Sequence, residues 1–350
     1  MRRDILSNVF GSVRLSGAVF FDVAASSPWV AEAPPASKVA NRVLPGAQHV
    51  IEYHVVTSGV GWASLVDTDA DAVRLGPGSV VMFPQGDSHT LSSSPGMRAK
   101  PDLSVYDQPE ELSPPFYLEQ LGGGQDNTRF ICGFLGCDVL PFNPVIQALP
   151  RVIHIPDAYT AGDGWLSSLI KAIMKESSKR RIGADSVLSR LSELIFIEVV
   201  RCYMESLSCD TQNWFTALSD PHVGRAIRLM HGDVRRPWML AELAREVGVS
   251  RTILIERFKA YLGVAPMSYL FSWRMQIAAG MLADSACSLS RIGAQVGYES
   301  EAAFSRAFKR ATGMPPAAWR AQAATSPTAK TMAKRERTES ARRLSRPSSG

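Results

Sequence analysis

Two stretches of this chain, about fifty residues apart, carry one pattern. Leu243 to Gly263 reads LAREVGVSRTILIERFKAYLG, and Ile292 to Gly313 reads IGAQVGYESEAAFSRAFKRATG. Leu243, Val247 and Gly248 match Ile292, Val296 and Gly297. Past the glycine the offset grows by one, so that Ser250, Leu254, Phe258, Gly263 and Pro266 match Ser300, Phe304, Phe308, Gly313 and Pro316. A short helix ending at a glycine able to take positive φ, then a serine able to cap a second helix, is the local chemistry of a helix-turn-helix.

Advancing 100° per residue places Leu254, Phe258 and Tyr261 on one face of the first copy's second helix, with Arg251, Thr252, Ile255, Glu256 and Lys259 off that face. In the second copy Phe304, Phe308 and Ala311 form the core face. Glu301, Ala302, Ser305, Arg306 and Lys309 project away from it. These ten residues are the candidate DNA-binding set, because the major groove is the helix-sized slot whose edges such a face can distinguish. A purely structural helical repeat is the alternative. Between the copies, Pro266 can open a helix that meets no breaker before Asp284. Seventeen residues give a strut of about 26 Å, which would set the two reading helices about one DNA turn, roughly 34 Å, apart.

Charge agrees with a polyanionic partner for one part of the chain only. Residues 221–320 hold 14 Lys and Arg against 7 Asp and Glu, and residues 321–350 hold 7 against 2. Residues 1–220 hold 17 against 24, so the formal +5 of the 350-residue chain hides a polarised molecule. A hydrophobic content of 45% and a charged content of 20% are ordinary for a globular protein. Asp4 and Arg14 spoil any signal-peptide pattern at the N-terminus. No apolar run reaches the ~18 residues that span a bilayer, since Glu193 and Glu198 interrupt LSELIFIEVV. A cytoplasmic, nucleoid-associated protein without a membrane partner is expected. Cys132, Cys137, Cys202, Cys209 and Cys287 are scattered and odd in number, which reads as reduced thiols, with a redox pair of Cys132 and Cys137 as the alternative.

Residues 11–110 alternate short apolar runs (VIEYHVV, WASLV, AVRL, SVVMFP) with turn signals (SGVG, DTDAD, GPG, QGD), the punctuation of an antiparallel barrel or sandwich. TRFICGFLGCDVL adds a strand or two. Near Asp157 the period changes to that of amphipathic helices. In ADSVLSRLSELIFIEVVRCYMESL, Val187, Leu191, Leu194, Ile195 and Val199 share a face for packing on the barrel or on a second copy. The tail from 321 is too polar to fold and is expected to be disordered.

The segment His222–Arg320 resembles the AraC/XylS family of bacterial transcription regulators. The residues that carry the likeness are PWMLAELAREVGVS, RTILIERFKAYLGVAPMSYL, WRMQIAAGMLADS, Gly297-Tyr298-Glu299-Ser300, and Gly313-Met314-Pro315-Pro316. The resemblance implies a seven-helix DNA-binding domain without a catalytic or metal site. It implies base contacts at Thr252, Ile255 and Glu256, and at Glu301, Ala302, Ser305 and Arg306. Glu256 departs from the hydrogen-bond donor that many members carry there. It can accept from a cytosine amino group but repels phosphate.

GSVVMFPQGDSH, Gly78 to His89, resembles the second cupin motif, and the likeness extends from about Leu6 to Ile155 as in cupin-type sensor domains. A cupin metalloenzyme would need His-x-His and a carboxylate from the first motif. Here that region reads HVIEYHVVTSG, and His54 with His89 gives two candidate ligands and no evident third. His54 and His89 are therefore read as ligand-pocket residues, and no catalytic residue, metal or cofactor is expected.

The expected fold is α+β: a cupin-like β-barrel with helices, then an all-α domain with two helix-turn-helix motifs (240–261 and 289–311) joined by a long helix. Expected domains are a sensor at 1–158, a helical dimerisation segment at 159–207, a linker at 208–221, a DNA-binding domain at 222–320 and a basic tail at 321–350. The expected function is transcription regulation, chiefly activation. Its partners would be double-stranded operator DNA, a small-molecule effector, a second copy of the chain and RNA polymerase. The alternatives are an N-terminal domain that only dimerises or senses metal or redox state and, more remotely, a cupin metalloenzyme fused to a DNA-binding domain.

Overall fold

The computed structural model describes residues 5–325 apart from 13–14, 18–19, 69–70, 108–114, 159–163, 179–180 and 209. The basic tail from 326 onward lies outside the described residues. The chain divides into two compact units. Val13–Val139 and Pro144–Ala217 form the N-terminal unit, while the helical unit takes the region from Leu218 together with Ile5–Ser12 and Leu140–Asn143.

In the N-terminal unit, strands β1 (Leu15–Ser16), β2 (Phe20–Ser26), β4 (His49–Ser58), β7 (Val80–Phe83), β9 (Phe116–Leu121), β10 (Asn127–Cys137) and β11 (Ile153–Ile155) make one sheet. Its order is β11-β7-β4-β10-β2-β9, with β1 also on β10. Strands β3 (Val30–Ala33), β5 (Gly61–Leu65), β6 (Val73–Leu75) and β8 (His89–Ser92) make a second sheet, ordered β3-β8-β5-β6. The barrel read from the sequence is thus two sheets sharing one core rather than a single closed ladder. Pairing is antiparallel except between β2 and β9, which run parallel. Of TRFICGFLGCDVL, the residues through Cys137 lie in one long strand, β10.

Both sheets contribute to that core: Val50, Val56, Phe83, Phe130 and Phe134 from the larger, Ala63, Leu75 and Leu91 from the smaller. Period two decides what faces it. On β4, Val50, Glu52, His54 and Val56 share the core side, and Ile51, Tyr53 and Val55 take the other. Tyr53, fully buried, shares a 2.9 Å hydrogen bond with the hydroxyl of Ser192. Its ring lies over Gly133, its register partner on β10, where an added Cβ would stand 2.2 Å from the ring. The glycine leaves room for that ring.

Ser192 belongs to α5 (Ala184–Ser206), which pairs with α4 (Trp165–Ser177) and packs on β10, β11 and β1. Leu188, Ile195, Phe196, Val199 and Val200 of α5 are buried, whereas Val187 and Leu194 stay exposed. The apolar stripe read as one face is two, because five positions spread across about 140° cannot all meet one neighbour. Short helices α2 (Ala40–Val43), α3 (Pro144–Ala148) and α6 (Trp214–Ala217) complete the unit. In α6, within the stretch read as a linker, Trp214 and Phe215 are buried, so apolar burial folds that segment.

The helical unit holds α1 (Ile5–Ser12), α7 (Val223–Gly232), α8 (Leu240–Val247), α9 (Arg251–Leu262), α10 (Pro266–Asp284), α11 (Leu289–Gln295), α12 (Glu301–Thr312) and α13 (Pro316–Thr325). Helix α10 starts on Pro266 and runs 19 residues, about 28 Å at 1.5 Å per residue and slightly longer than its sequence suggested. Helix α1 packs on α7 and α10. The amide of Gln276, only 1% exposed, accepts from the Phe142 backbone N–H at 3.1 Å and donates to the Ser12 carbonyl at 3.4 Å. A buried amide in a helix interior needs such partners, and Gln276 takes them from both extra segments of the unit.

Candidate functional sites: the reading helices and the buried histidine pair

Both helix-turn-helix copies close their first helix in the same way. Gly248 (φ 80°) and Gly297 (φ 84°) lie in the left-handed region. The backbone N–H of Val249 returns to the Ala244 carbonyl at 3.1 Å, and that of Tyr298 to the Gly293 carbonyl at 2.9 Å, matching bonds of a helix C-cap. The extra residue of the second copy is therefore Glu299, inserted after the cap is complete and before the serine. Ser250 accepts from the Ile253 N–H and Ser300 from the Ala303 N–H, each at 3.2 Å. Those bonds fix where each reading helix begins, and so which side chains face outward.

Leu254 and Phe258 of α9, and Phe304, Ala307 and Phe308 of α12, are buried, with Tyr261 and Ala311 half-buried. Of the sequence-predicted DNA-binding residues, Arg251, Thr252, Glu256, Lys259, Glu301, Ala302, Arg306 and Lys309 are exposed; Ile255 and Ser305 are half-buried. No hydrogen bond or ion pair among the described residues engages the side chains of Arg251, Lys259, Arg306 or Lys309. Neighbouring arginines are committed to the fold instead. Arg236 pairs with Glu242, Arg257 pairs with Asp220, and Arg274 donates to the carbonyls of Val234 and Arg236.

In the N-terminal unit, His54 and His89 come together although 35 residues separate them. His54 stands on β4 of the larger sheet and His89 on β8 of the smaller, with Nε2 to Nε2 at 2.8 Å. His89 Nδ1 lies 2.9 Å from the Asp87 carbonyl, and His54 Nδ1 lies 2.9 Å from Cys132 Sγ. The His89 ring stacks on Phe83 at 3.7 Å between centroids, and Phe130 stands edge-on to His54. Burial holds both imidazoles neutral: it pushes His54 well below its ordinary pKa and His89 down to about 4.

Glu52 joins them and was missed by the sequence reading, which found no third ligand. Two residues before His54 on β4, it turns to the same side, and Glu52 Oε2 stands 3.8 Å from His89 Nε2. It is 2% exposed, and its Oε1 has no hydrogen-bond partner among the described residues. Burial raises its carboxyl to about 8. Period two along EYH was the signal available. Cys132 and Cys137 sit five residues apart on one extended strand, hence about 17 Å apart and on opposite faces, too far for a disulfide. Burial also raises both thiols, which makes them poor nucleophiles.

An open cleft of about 530 Å³ lies between β11 and α5, lined by residues including Ile153, His154, Ile155, Cys202 and Tyr203. Neither His54 nor His89 lines it.

A two-sheet unit of this kind, followed by helices carrying two outward reading faces, defines a class of DNA-binding regulator. Comparison with known proteins agrees: residues 4–205 match the family model described as Cupin, and residues 243–322 match the one described as Helix-turn-helix domain. A protein of Streptomyces lividans named as an AraC-like transcription regulator is 30% identical over 78% of this chain and 88% of its own. The regulator AlkR of Acinetobacter baylyi is 26% identical over 91% and 99%. Among solved structures, an AraC-type DNA-binding regulator from Chromobacterium violaceum is 33% identical, covering 31% of this chain and 97% of its own, with a TM-score of 0.30. The chain belongs to the AraC/XylS family of transcription regulators, with an N-terminal cupin domain. Among the described residues, no helix is long and apolar enough to cross a membrane.

The two turn glycines differ in one testable way. A Cβ at Gly248 would meet open space, while one at Gly297 would lie 2.7 Å from the Arg235 carbonyl. Gly248→Ala should cost about 1–2 kcal/mol, the penalty of left-handed backbone alone. Gly297→Ala should cost more. Chemical denaturation of the two variants measures the difference, and equal losses would show that the Arg235 carbonyl yields.

Proposed function

We propose that this regulator reads two successive major grooves, with α9 in one and α12 in the next, and that its cupin domain governs this through a small-molecule effector and self-association. The observation that carries the DNA reading is the pair of serine-capped helices, each packed on α10, with cations outward that have no partner among the described residues. Helix α10 supplies the spacing of about one DNA turn. The work of the chain is recognition, not catalysis, and it is done wherever the chromosome is. If regulation is activation, RNA polymerase is the further partner.

Arg306 and Glu256 occupy equivalent positions of the two helices, and only the arginine can donate two hydrogen bonds to guanine O6 and N7. Arg306→Ala should therefore abolish preference at one base pair of the second half-element, worth about 1–3 kcal/mol. Glu256→Ala should relax a cytosine or raise affinity overall. Selection from random duplex DNA with the full chain and both variants tests this. A motif unchanged in Arg306→Ala would show that α12 sits in another register.

Self-association is assigned to the α4–α5 hairpin. Trp165, Met174, Ile182, Val187 and Leu194 are five of the exposed large apolar residues and all lie on it, an apolar surface of the kind that marks an interaction site. Sedimentation of the full chain should show a dimer that Leu194→Asp converts to monomer. A monomer in both would reject this role.

For the effector, the cleft between β11 and α5 falls in the ~300–1,000 Å³ range of small-molecule sites. A bound effector must stabilise the domain that holds it. Thermal-shift screening of the full chain should find compounds that raise its unfolding midpoint, with the shift reduced in Tyr203→Ala. A library without a single stabilising compound would favour a domain that only dimerises.

A further inference from the structure

Packing on α10 fixes how far apart α9 and α12 stand, but it leaves their relative rotation to contacts that have no direction. Phe258 of α9 meets Tyr269 near the start of α10, and Phe304 and Phe308 of α12 lie with Met275, Ala278 and Leu282 further along it. Apolar contact is non-directional, so it tolerates a roll about α10 that hydrogen bonds would resist. Arg274, at the middle of the helix, supplies hydrogen bonds. Its Nε–H donates to the Val234 carbonyl at 2.9 Å and its Nη2–H to the Arg236 carbonyl at 2.6 Å.

Both carbonyls lie in the loop that leads into α8 of the first copy, and that loop is tied to the copy it precedes. Trp238, buried at its end, donates its backbone N–H to the Arg236 carbonyl at 2.8 Å and its indole N–H to the Asp233 carbonyl at 3.1 Å. The Arg236 guanidinium lies 4.1 Å over the Trp238 ring and pairs with Glu242 of α8. The second copy meets the same arginine. A Cβ added at Gly297 would stand 2.8 Å from Arg274 Nη2, 3.0 Å from its Cζ and 2.7 Å from the Arg235 carbonyl. Gly297 opens the turn into α12, and the Tyr298 ring that follows it packs on Phe304 of α12 at 5.9 Å between centroids. Loop, guanidinium and turn therefore meet at one point, where only a glycine fits without displacing a neighbour.

We propose that Arg274 is a positioning residue for DNA reading. By joining the 233–236 loop of the first copy to the Gly297 turn of the second, it fixes the rotation of α12 against α9, and so the half-element spacing that the protein accepts. The inference rests on the two-groove reading above and adds to it what selects the spacing. One added base pair turns the second half-element by about 35° around the duplex axis, since a turn holds about 10–10.5 base pairs, and moves it by about 3.4 Å. Readers locked in rotation can follow that step only by giving up contacts in one groove. Readers free to roll about α10 can follow it with both. The geometry asks for arginine in particular. Its planar fork donates along fixed directions to two carbonyls at once, whereas a lysine ammonium is a point charge on a flexible stem.

The test uses the full chain and duplexes carrying the two half-elements that wild type selects, at the selected spacing and with one base pair added or removed. Wild type should prefer the selected spacing over its neighbours by about tenfold or more, the scale of one mismatched base pair. Arg274→Lys, checked for folding by circular dichroism, should bring that ratio to about threefold or less, with base preference inside each half-element retained. An arginine that served stability alone would leave the ratio unmoved. Lys259→Ala removes a cation from α9 but leaves the Arg274 contacts, so it should weaken binding at every spacing and keep the wild-type ratio. Should Arg274→Lys fail to fold, Gly297→Ala takes its place, because it presses on the same guanidinium from the second copy and should lower the same ratio. No spacing preference in wild type, an unchanged ratio in the folded variant, or an equal fall in Lys259→Ala would each overturn the inference and leave the two-groove reading standing. A wild-type motif without two half-elements would remove that reading and this inference with it.

Discussion

The outward faces of α9 and α12 depend on α10, which carries buried residues around most of its circumference. Tyr269, Leu270, Trp273, Met275, Ala278, Ala279 and Leu282 are each at most 3% exposed. Phe258 of α9 meets Tyr269 at 6.2 Å between centroids, while Phe304 and Phe308 of α12 join Met275, Ala278 and Leu282 in one cluster. His231 of α7 stacks on Trp273 at 4.0 Å and shares a 3.0 Å hydrogen bond with the Tyr269 hydroxyl. Desolvation pushes that imidazole down to about 3, so it packs there as a neutral ring. A helix pinned by two aromatic or aliphatic anchors one turn apart loses the freedom to roll about its axis. Its polar face is then a property of the core, set before any DNA is present.

This is why the helical unit was so legible in the sequence. Glycine with positive φ, serine at an N-cap and apolar residues four apart are local signals, and each copy supplies all of them within about twenty residues. The register of Glu256 against Arg306 follows from counting. The bounds of α10, Pro266 to Asp284, were also legible, whereas α13 runs to Thr325, past the expected end of the domain. The long apolar helix α5 was legible as a helix but not as two faces, since periodicity cannot say which neighbour covers which stripe.

The cupin domain was legible as strands and turns, and its motif likeness singled out His54 and His89, but neither the contact between them nor Glu52 was legible. His89 reaches His54 from another sheet, across 35 residues of chain, and strand pairing at that range has no local signature. Glu52 was hidden for a different reason. Comparison with a His-x-His pattern directs attention to histidines, while alternation along a strand makes any residue two positions away an equal candidate for the same face. Gln276 is hidden in the same sense. A polar residue inside a helix reads as solvated until the Ser12 carbonyl and Phe142 amide, 264 and 134 residues away, are found at its amide.

Charge shows most clearly what composition can and cannot say about a nucleic-acid partner. Residues 221–320 carry 14 Lys and Arg, yet many of these are bound to the protein itself. The guanidinium groups of Arg236 and Arg257 face carboxylates, those of Arg274 and Arg320 donate to backbone carbonyls, and Arg310 lies 4.8 Å over the Phe271 ring. Such groups hold loops and helix ends in place, and releasing one to a phosphate would leave a carboxylate or carbonyl unpaired. Among the described residues, the side chains of Arg251, Lys259, Arg306 and Lys309 have no such duty, and they stand on α9 and α12. The counterions displaced on binding should come chiefly from contacts by free cations, so net charge measures the attraction but overstates the contacts. Within the free set, only a group whose neighbours are small can approach a groove floor. Arg306, with Ala302 one turn before it and half-buried Ser305 beside it, is so placed. Glu256, at the equivalent position of α9, is exposed on the face that the proposed reading would bring toward phosphate. The two copies share a scaffold and differ in charge at the position that the proposed reading places toward a base.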